Sequence, residues 1–157
     1  MQYLGNKEIL KEYKVGFLCS RKIPSDIILK TYDWAIAKRD SGECVVSGFH
    51  SKIEKDVLHY LLKGNQPLIL VLARGLYKRV PDLLRKELDK NRLLIISVCN
   101  QRVKRSSEIS AQLRNHFIIE LSDELFVPFA SSGGLLEKAN EYAKERNKKI
   151  TYNIFQK

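Results

Sequence analysis

The stretch VVSGFHSKIEKDVLHYLL, residues 45–62, decides how the chain is read. A short apolar run ends at Ser47-Gly48, a loop carries Phe49, His50, Ser51 and Lys52, and Ile53, Val57, Tyr60 and Leu61 then recur at i, i+4, i+7 and i+8. That spacing puts four apolar side chains on one face of a helix. A buried strand, a glycine turn and a helix start are half of a βαβ unit. Ser51 with Glu54 three residues on is a capping-box pattern, which accounts for both residues without any ligand. Gly48 and Lys52 need another reason. Glycine lets backbone approach closely, and a cation at a helix N-terminus opposes the helix dipole unless an anion lies nearby.

The same alternation extends in both directions. Strands are predicted over 14–20, 43–48, 67–73, 92–98 and 124–130, nearly continuous in Val, Ile, Leu and Phe as strands covered on both faces are. Helices are predicted over 25–40, from Ile53 to Gly64, and over 81–90 with Leu84 and Leu88 inward. A fourth is marked by Ile109, Leu113, Phe117 and Leu121, and a fifth by Leu135, Ala139, Tyr142 and Ala143 after Gly133-Gly134. Residues 149–155 are expected to add an edge strand, and the first 13 residues a short helix packed on the outside. The fold class is α/β: a single Rossmann-like domain over 1–157, its mostly parallel sheet covered by helices on both faces.

Composition narrows the function. At 157 residues the chain can bury a real core. No apolar run approaches the ~20 residues that span a bilayer, and the N-terminus lacks a secretory h-region, so a cytoplasmic location without membrane contact is expected. Cys19, Cys44 and Cys99 lie in or beside apolar runs and are odd in number, which does not suit a disulfide framework. His50, His59 and His116 show no metal-ligand spacing. Neither a metal nor a cofactor is predicted. The 28 Lys and Arg against 18 Asp and Glu give a net charge of +10, which invites a polyanionic partner.

In open parallel sheets, ligands sit beyond the carboxyl ends of the strands, where loops lead into helix N-termini. The residues there are Ser20, Arg21 and Lys22; Gly48, Phe49, His50, Ser51 and Lys52; Arg74 and Gly75, with Lys78 and Arg79; Asn100, Gln101 and Arg102, with Lys104 and Arg105; and Ser131, Ser132, Gly133 and Gly134. None of these loops carries an acid before its helix begins, so an anion-binding rim is expected. Phe49, and after it Tyr77, is placed to stack on bases. The G-x-G-x-x-G and G-x-x-x-x-G-K-[ST] phosphate loops are both absent. Ser47 and His50 lie close in sequence, but no acid is placed to orient the imidazole and G-x-S-x-G is missing, so no catalytic residue is assigned.

The residues together resemble the Rossmann-like domain of the DprA/Smf DNA-processing proteins, within the wider SLOG group of nucleotide and nucleic-acid binders. Cys19-Ser20-Arg21 is similar to that family's Gly-Ser-Arg strand end, and SGFHSKIEKDVL supplies Ser47, Gly48 and Ile53 of its second block. VLARGLYKRVP (71–81), RNHFIIELSD (114–123) and SGGLLEKA (132–139) follow in the family's order. The resemblance implies single-stranded DNA held in a basic crevice, with a role in DNA uptake and recombination, a homodimer, and a RecA-type recombinase as partner. It implies that Ser20, Arg21, Ser47, Gly48, Arg114, Asn115, Ser132 and Gly133 contact or shape a phosphate site; a surface pair stabilising the helix is the alternative for Arg114-Asn115. The chain departs from the family at Cys19 and Lys52, which replace glycines, at Glu54 and Leu58, which replace Asp and His, and at His50, which replaces a small residue. The alternative function is a SLOG-type sensor or hydrolase of a nucleotide or nucleotide-derived molecule. The P-G-G-x-G-T-x-x-E block of the hydrolases survives only as Gly133-Gly134 with Glu137 near.

Overall fold

The computed structural model describes residues 1–152. Seven strands form one sheet in the order β1-β5-β4-β3-β2-β6-β7. They are β1 (Gln2–Gly5), β2 (Lys14–Phe17), β3 (Cys44–Ser47), β4 (Leu68–Leu72), β5 (Leu93–Ser97), β6 (Glu124–Phe126) and β7 (Lys149–Thr151). All neighbours run parallel except β1, which pairs antiparallel with β5. The helices are α1 (Ser25–Ser41), α2 (Lys52–Leu62), α3 (Asp82–Asp89), α4 (Glu108–Leu121) and α5 (Leu135–Glu145).

Side chains alternate across each strand, so the central strands serve two cores. Leu68, Leu70 and Leu72 face one core with Trp34, Ile53, Val57, Leu61 and Leu84 of α1, α2 and α3. Ile69 and Val71 face the other with Ile118, Ile119, Ala139 and Ala143 of α4 and α5. Phe17, Trp34 and Phe126 stack over the centre of the first core, with ring centroids 4.5–6.0 Å apart. At the far end of the sheet from the strand carboxyl ends, buried Arg92 collects the last carbonyls of α2. Its Nη2 donates to Leu61 O at 3.0 Å and its Nη1 to Leu62 O at 3.2 Å, while Glu87 pairs with Nη1 at 2.9 Å. Arg92 thereby ties the end of α2 to α3 and β5, although Gln66 Nε2 beside it is buried with no hydrogen-bond partner among the described residues.

Three expectations change. The first residues form an edge strand and then a 3-10 turn at Lys7–Lys11, not a helix. Buried Lys14 holds that segment down, its Nζ donating to Leu10 O at 3.0 Å and Glu12 O at 2.8 Å. β6 ends at Phe126 rather than 130, since Pro128 has no N–H for the ladder. Only the second half of the stripe expected on α4 reaches the core: Phe117 and Leu121 pack against it half-buried, but Ile109 is 75% exposed and Leu113 53%, while Ser110, Arg114 and Asn115 are buried with Ile118 and Ile119. The last strand covers 149–151, and residues 153–155 of the expected segment lie outside the described residues.

Candidate functional site

From β2 the chain steps one way through β3, β4 and β5, then crosses by α4 to β6 on the other side of β2. The loops after β2 and β6 therefore diverge and leave a crevice at the switch point. The structure has a cleft of about 540 Å³ there. The β2–α1 loop lines it with Cys19, Ser20, Arg21 and Lys22, and the start of α2 with His50, Ser51 and Glu54. The start of α4 adds Ser107 and Glu108 and its middle adds Arg114 and Asn115, while the β6–α5 loop adds Ser131 and Gly134. Ser20 Oγ accepts a hydrogen bond from Ser131 N at 2.8 Å, tying the two diverging loops together across the cleft.

Two of the helix starts serve themselves. Ser51 Oγ accepts from Glu54 N at 3.3 Å, and Glu54 Oε1 accepts from Ser51 N at 3.0 Å and His50 N at 3.1 Å. Ser107 and Ser110 make the reciprocal pair on α4 at 3.1 and 2.8 Å. Their first-turn amides are thus partly consumed, and the buried Glu54 carboxylate is occupied by backbone. α5 differs: its N-cap is Gly134, which supplies no side-chain cap.

The cleft is therefore defined by side chains, above all by Arg114. Arg114 is 8% exposed; among the described residues its Nε is buried with no hydrogen-bond partner, and Nη2 reaches only Asn115 Oδ1 at 3.5 Å. No carboxylate among the described residues forms an ion pair with it. Burial pushes its pKa down, Glu54 pushes it up and Arg21 pushes it down again. An arginine stays charged in a protein, so this is a desolvated cation with unused donors. Gly48 makes room for it: a Cβ at residue 48 would lie 2.8 Å from Arg114 Nε and 2.9 Å from its Cδ and Cζ. His50, beside them, has its pKa lowered first by burial and next by Arg114.

Ser20, Arg21, Lys22, Gly48, His50, Arg114 and Asn115 are thus brought together. Others of the expected set are not. Ser47 is fully buried, and its Oγ accepts from Phe49 N at 3.2 Å, closing the turn rather than facing a ligand. Phe49 is 5% exposed in the first core, turned inward by a backbone φ of 43°, so it is no stacking platform. Lys52 points out and pairs with Asp56 at 3.2 Å one turn along, which resolves its apparent conflict with the helix dipole. Ser132 and Gly133 are exposed beyond the cleft wall, which is built by their neighbours Ser131 and Gly134.

Arg74 lies further along the edge, with its guanidinium 5.2 Å from the Tyr77 ring centre. Gly75 touches no ligand space; it is buried because a Cβ there would come 2.8 Å from the Gln101 backbone. Gln101 clasps the β4–α3 loop, accepting from Leu76 N through Oε1 and donating to Leu76 O through Nε2, both at 3.1 Å. Gly75 N adds a bond to Val103 O at 2.8 Å. The sequence places Gln101 only among the rim residues and does not disclose this clasp, because a side chain imitating a strand neighbour leaves no local pattern. The cleft continues through His50, Ser106 and Arg114 into a cavity of about 430 Å³ between α2 and α3. That cavity shares Arg74 and Tyr77 with a third depression, of about 360 Å³, rimmed by Lys78, Arg79 and Lys104. One basic track thus runs along the carboxyl edge of the sheet.

Several solved structures share this architecture. DNA processing protein A from Helicobacter pylori superposes with a TM-score of 0.75 at 19% identity, over 98% of this chain and 73% of that one. The Streptococcus pneumoniae protein of the same name gives 0.76 at 21% identity, over 98% of this chain and 56% of that one. The molybdenum cofactor binding protein of Rippkaea orientalis gives 0.61 at 13% identity, over 89% and 75%. Likeness at these identities is likeness of fold. A search of curated protein sequences finds no match. The family model for DNA recombination-mediator protein A, however, matches residues 1–154, nearly the whole chain, and the chain accordingly belongs to the DNA recombination-mediator protein A family.

Proposed function

We propose that the protein binds single-stranded DNA by its phosphates, with Arg114 as the central grip. The observation that carries this reading is the buried Arg114 guanidinium, whose Nε has no hydrogen-bond partner among the described residues. A phosphate oxygen supplies the missing acceptor and the missing charge, and a planar guanidinium can hold it with two parallel bonds. Arg21 and Lys22 stand at the rim of the same cleft. Family membership supports a role in DNA recombination, and the H. pylori relative is a single-stranded-DNA binder.

The continuity of the track favours a strand over a mononucleotide. From β6 to β5 it crosses four strand spacings of about 4.8 Å, roughly 19 Å in all. A strand stacked at about 3.4 Å per nucleotide covers that distance with five or six phosphates. Arg21, Lys22, Arg114, Arg74, Lys78, Arg79 and Lys104 then meet successive phosphates, and Tyr77, half-buried under Arg74, is the aromatic placed beside them. No helix among the described residues is long and apolar enough to cross a membrane.

A second reading, a single nucleotide or another small phosphate compound, draws on the volume of the switch-point cleft and on the fold shared with molybdenum cofactor binding proteins. Fluorescence anisotropy with labelled oligo(dT) of one to twelve nucleotides, at two salt concentrations, separates the two. A strand site gains affinity up to about six nucleotides and weakens steeply with salt. Saturation by dTMP with no further gain on lengthening would replace the strand reading with the nucleotide one.

A further inference from the structure

The cavity between α2 and α3 has a chemistry of its own. Its wall is apolar: Leu58, Leu62, Leu70, Leu72, Pro81 and Leu84 surround about 430 Å³ of space, enough for a small organic ligand. Leu83 at its edge is 59% exposed, so the apolar lining reaches the surface. No carboxylate among the described residues lines it. Exposed Lys55 and His59 of α2 and half-buried Arg74 after β4 put cations at its rim, and exposed His50 and buried Arg114 add to its lining on the side of the cleft. Apolar walls that continue out to a surface leucine, with cations on the rim and no acid, are complementary to a molecule with an apolar body and an anionic head.

A nucleobase fits this space poorly. Its hydrogen-bonding edge would lie against leucine and proline, and each buried polar group left without a partner is unfavourable. A fused aromatic hydrocarbon body has no such edge. We propose that this cavity is a second ligand site, specific for small aromatic anions: a body of two or three rings against the leucines, with one sulfonate, carboxylate or phosphate group held by Lys55 and Arg74. The site rests on the leucine wall and Lys55, which the strand-binding reading does not use, and of its two anion-holding cations it shares only Arg74 with the strand track.

The test uses the full chain and 8-anilinonaphthalene-1-sulfonate as the probe, titrated by fluorescence with near-UV circular dichroism confirming native packing. Saturable one-to-one binding is expected. Leu58→Trp, which puts a large ring into the space, should weaken it at least tenfold. Lys55→Glu reverses one exposed rim charge without touching the core and should weaken it by about fivefold. N-phenyl-1-naphthylamine, which has the same rings without the sulfonate, should bind several-fold less tightly than the anion. Probe binding that does not saturate, or that is equal in wild type and folded Leu58→Trp, overturns the site. If Leu58→Trp does not fold, undiminished binding by Lys55→Glu, or equal affinity for the uncharged analogue, overturns it on the charge side.

Discussion

Gly48→Ala separates the anion grip from the scaffold that carries it. A methyl group at residue 48 would lie 2.8 Å from Arg114 Nε and 2.9 Å from Cδ and Cζ, where ordinary contact begins near 3.4 Å. The guanidinium has to withdraw by about 0.6 Å. Gly48 does not have a positive φ, so alanine brings no backbone strain. What yields is the end of a side chain. Stability therefore changes little: the loss of freedom in the unfolded chain favours the variant by about 0.4–1 kcal/mol, against the displaced arginine. Binding responds far more. A bond of about 2.9 Å lengthened by that amount leaves the hydrogen-bonding range, and bonds to charged groups contribute about 1.5–3 kcal/mol. Affinity for a labelled oligo(dT) 20-mer should fall by roughly 10- to 150-fold. Anisotropy titrations paired with thermal unfolding measure both quantities. Wild-type affinity in a folded Gly48→Ala protein refutes Arg114 as the grip. Affinity and melting temperature falling together refute the separation of grip from scaffold.

Arg114→Met removes a buried cation that forms no ion pair among the described residues, so it should raise stability by about 1–3 kcal/mol, or roughly 2–10 °C in Tm, while lowering oligo(dT) affinity at least as far as Gly48→Ala; a lower Tm would show that the guanidinium is satisfied in the free protein. His50 faces Arg114, Arg21, Lys55 and Glu54, and burial and Arg114 hold its pKa below the usual histidine value. The unfolded chain then binds the proton more readily, so this group contributes nothing above about pH 6.5 and disfavours the free folded protein as pH falls below it. A bound phosphate reverses the local field, so oligo(dT) affinity should rise from pH 7.5 to 5.5, with a steeper slope in wild type than in His50→Gln. Equal slopes would place His50 outside the site. Burial pushes the Cys19 and Cys44 thiols up to about 12 and raises that of half-buried Cys99 as well. A thiol reagent at pH 8 should therefore modify Cys99 slowly and the other two only on unfolding, as mass spectrometry of the native and denatured chain will show.

The sheet was legible because its strands are buried on both faces. Runs such as LILVL and LLIIS need no context to be read as central parallel strands, and they set the order of loops along one edge. The capping box at Ser51 and Glu54 was equally plain, being a local pattern with a local cause. Where the reading failed, the deciding partner was far away in sequence. QYLG has no strand signature until β5 is beside it. Phe49 stands among polar loop residues, and only its positive φ, which a loop sequence does not announce, sends the ring into the core. α4 is the most instructive failure: its apolar stripe faces out at Ile109 and Leu113, and its serine, arginine and asparagine face in. Ser110 is buried as the capping partner of Ser107, and Arg114 and Asn115 as the wall of the cleft, so the rule of amphipathic packing does not read this helix. The strand order that makes the crevice is likewise a tertiary fact. Residues 20–22, 48–50 and 114–115 meet only because α4 carries the chain back across β2.

The clasp between Gln101 and Leu76 joins two loops into one body. Arg74, Lys78 and Arg79 on one side and Lys104 on the other are anchored to the same frame, which a side chain at residue 75 would force apart. Long basic loops normally lose freedom when a polyanion arrives, and that loss opposes association. Here the backbone ordering has already occurred during folding. The proposed strand would meet a comb whose spine is already set, with only the side-chain teeth left to order.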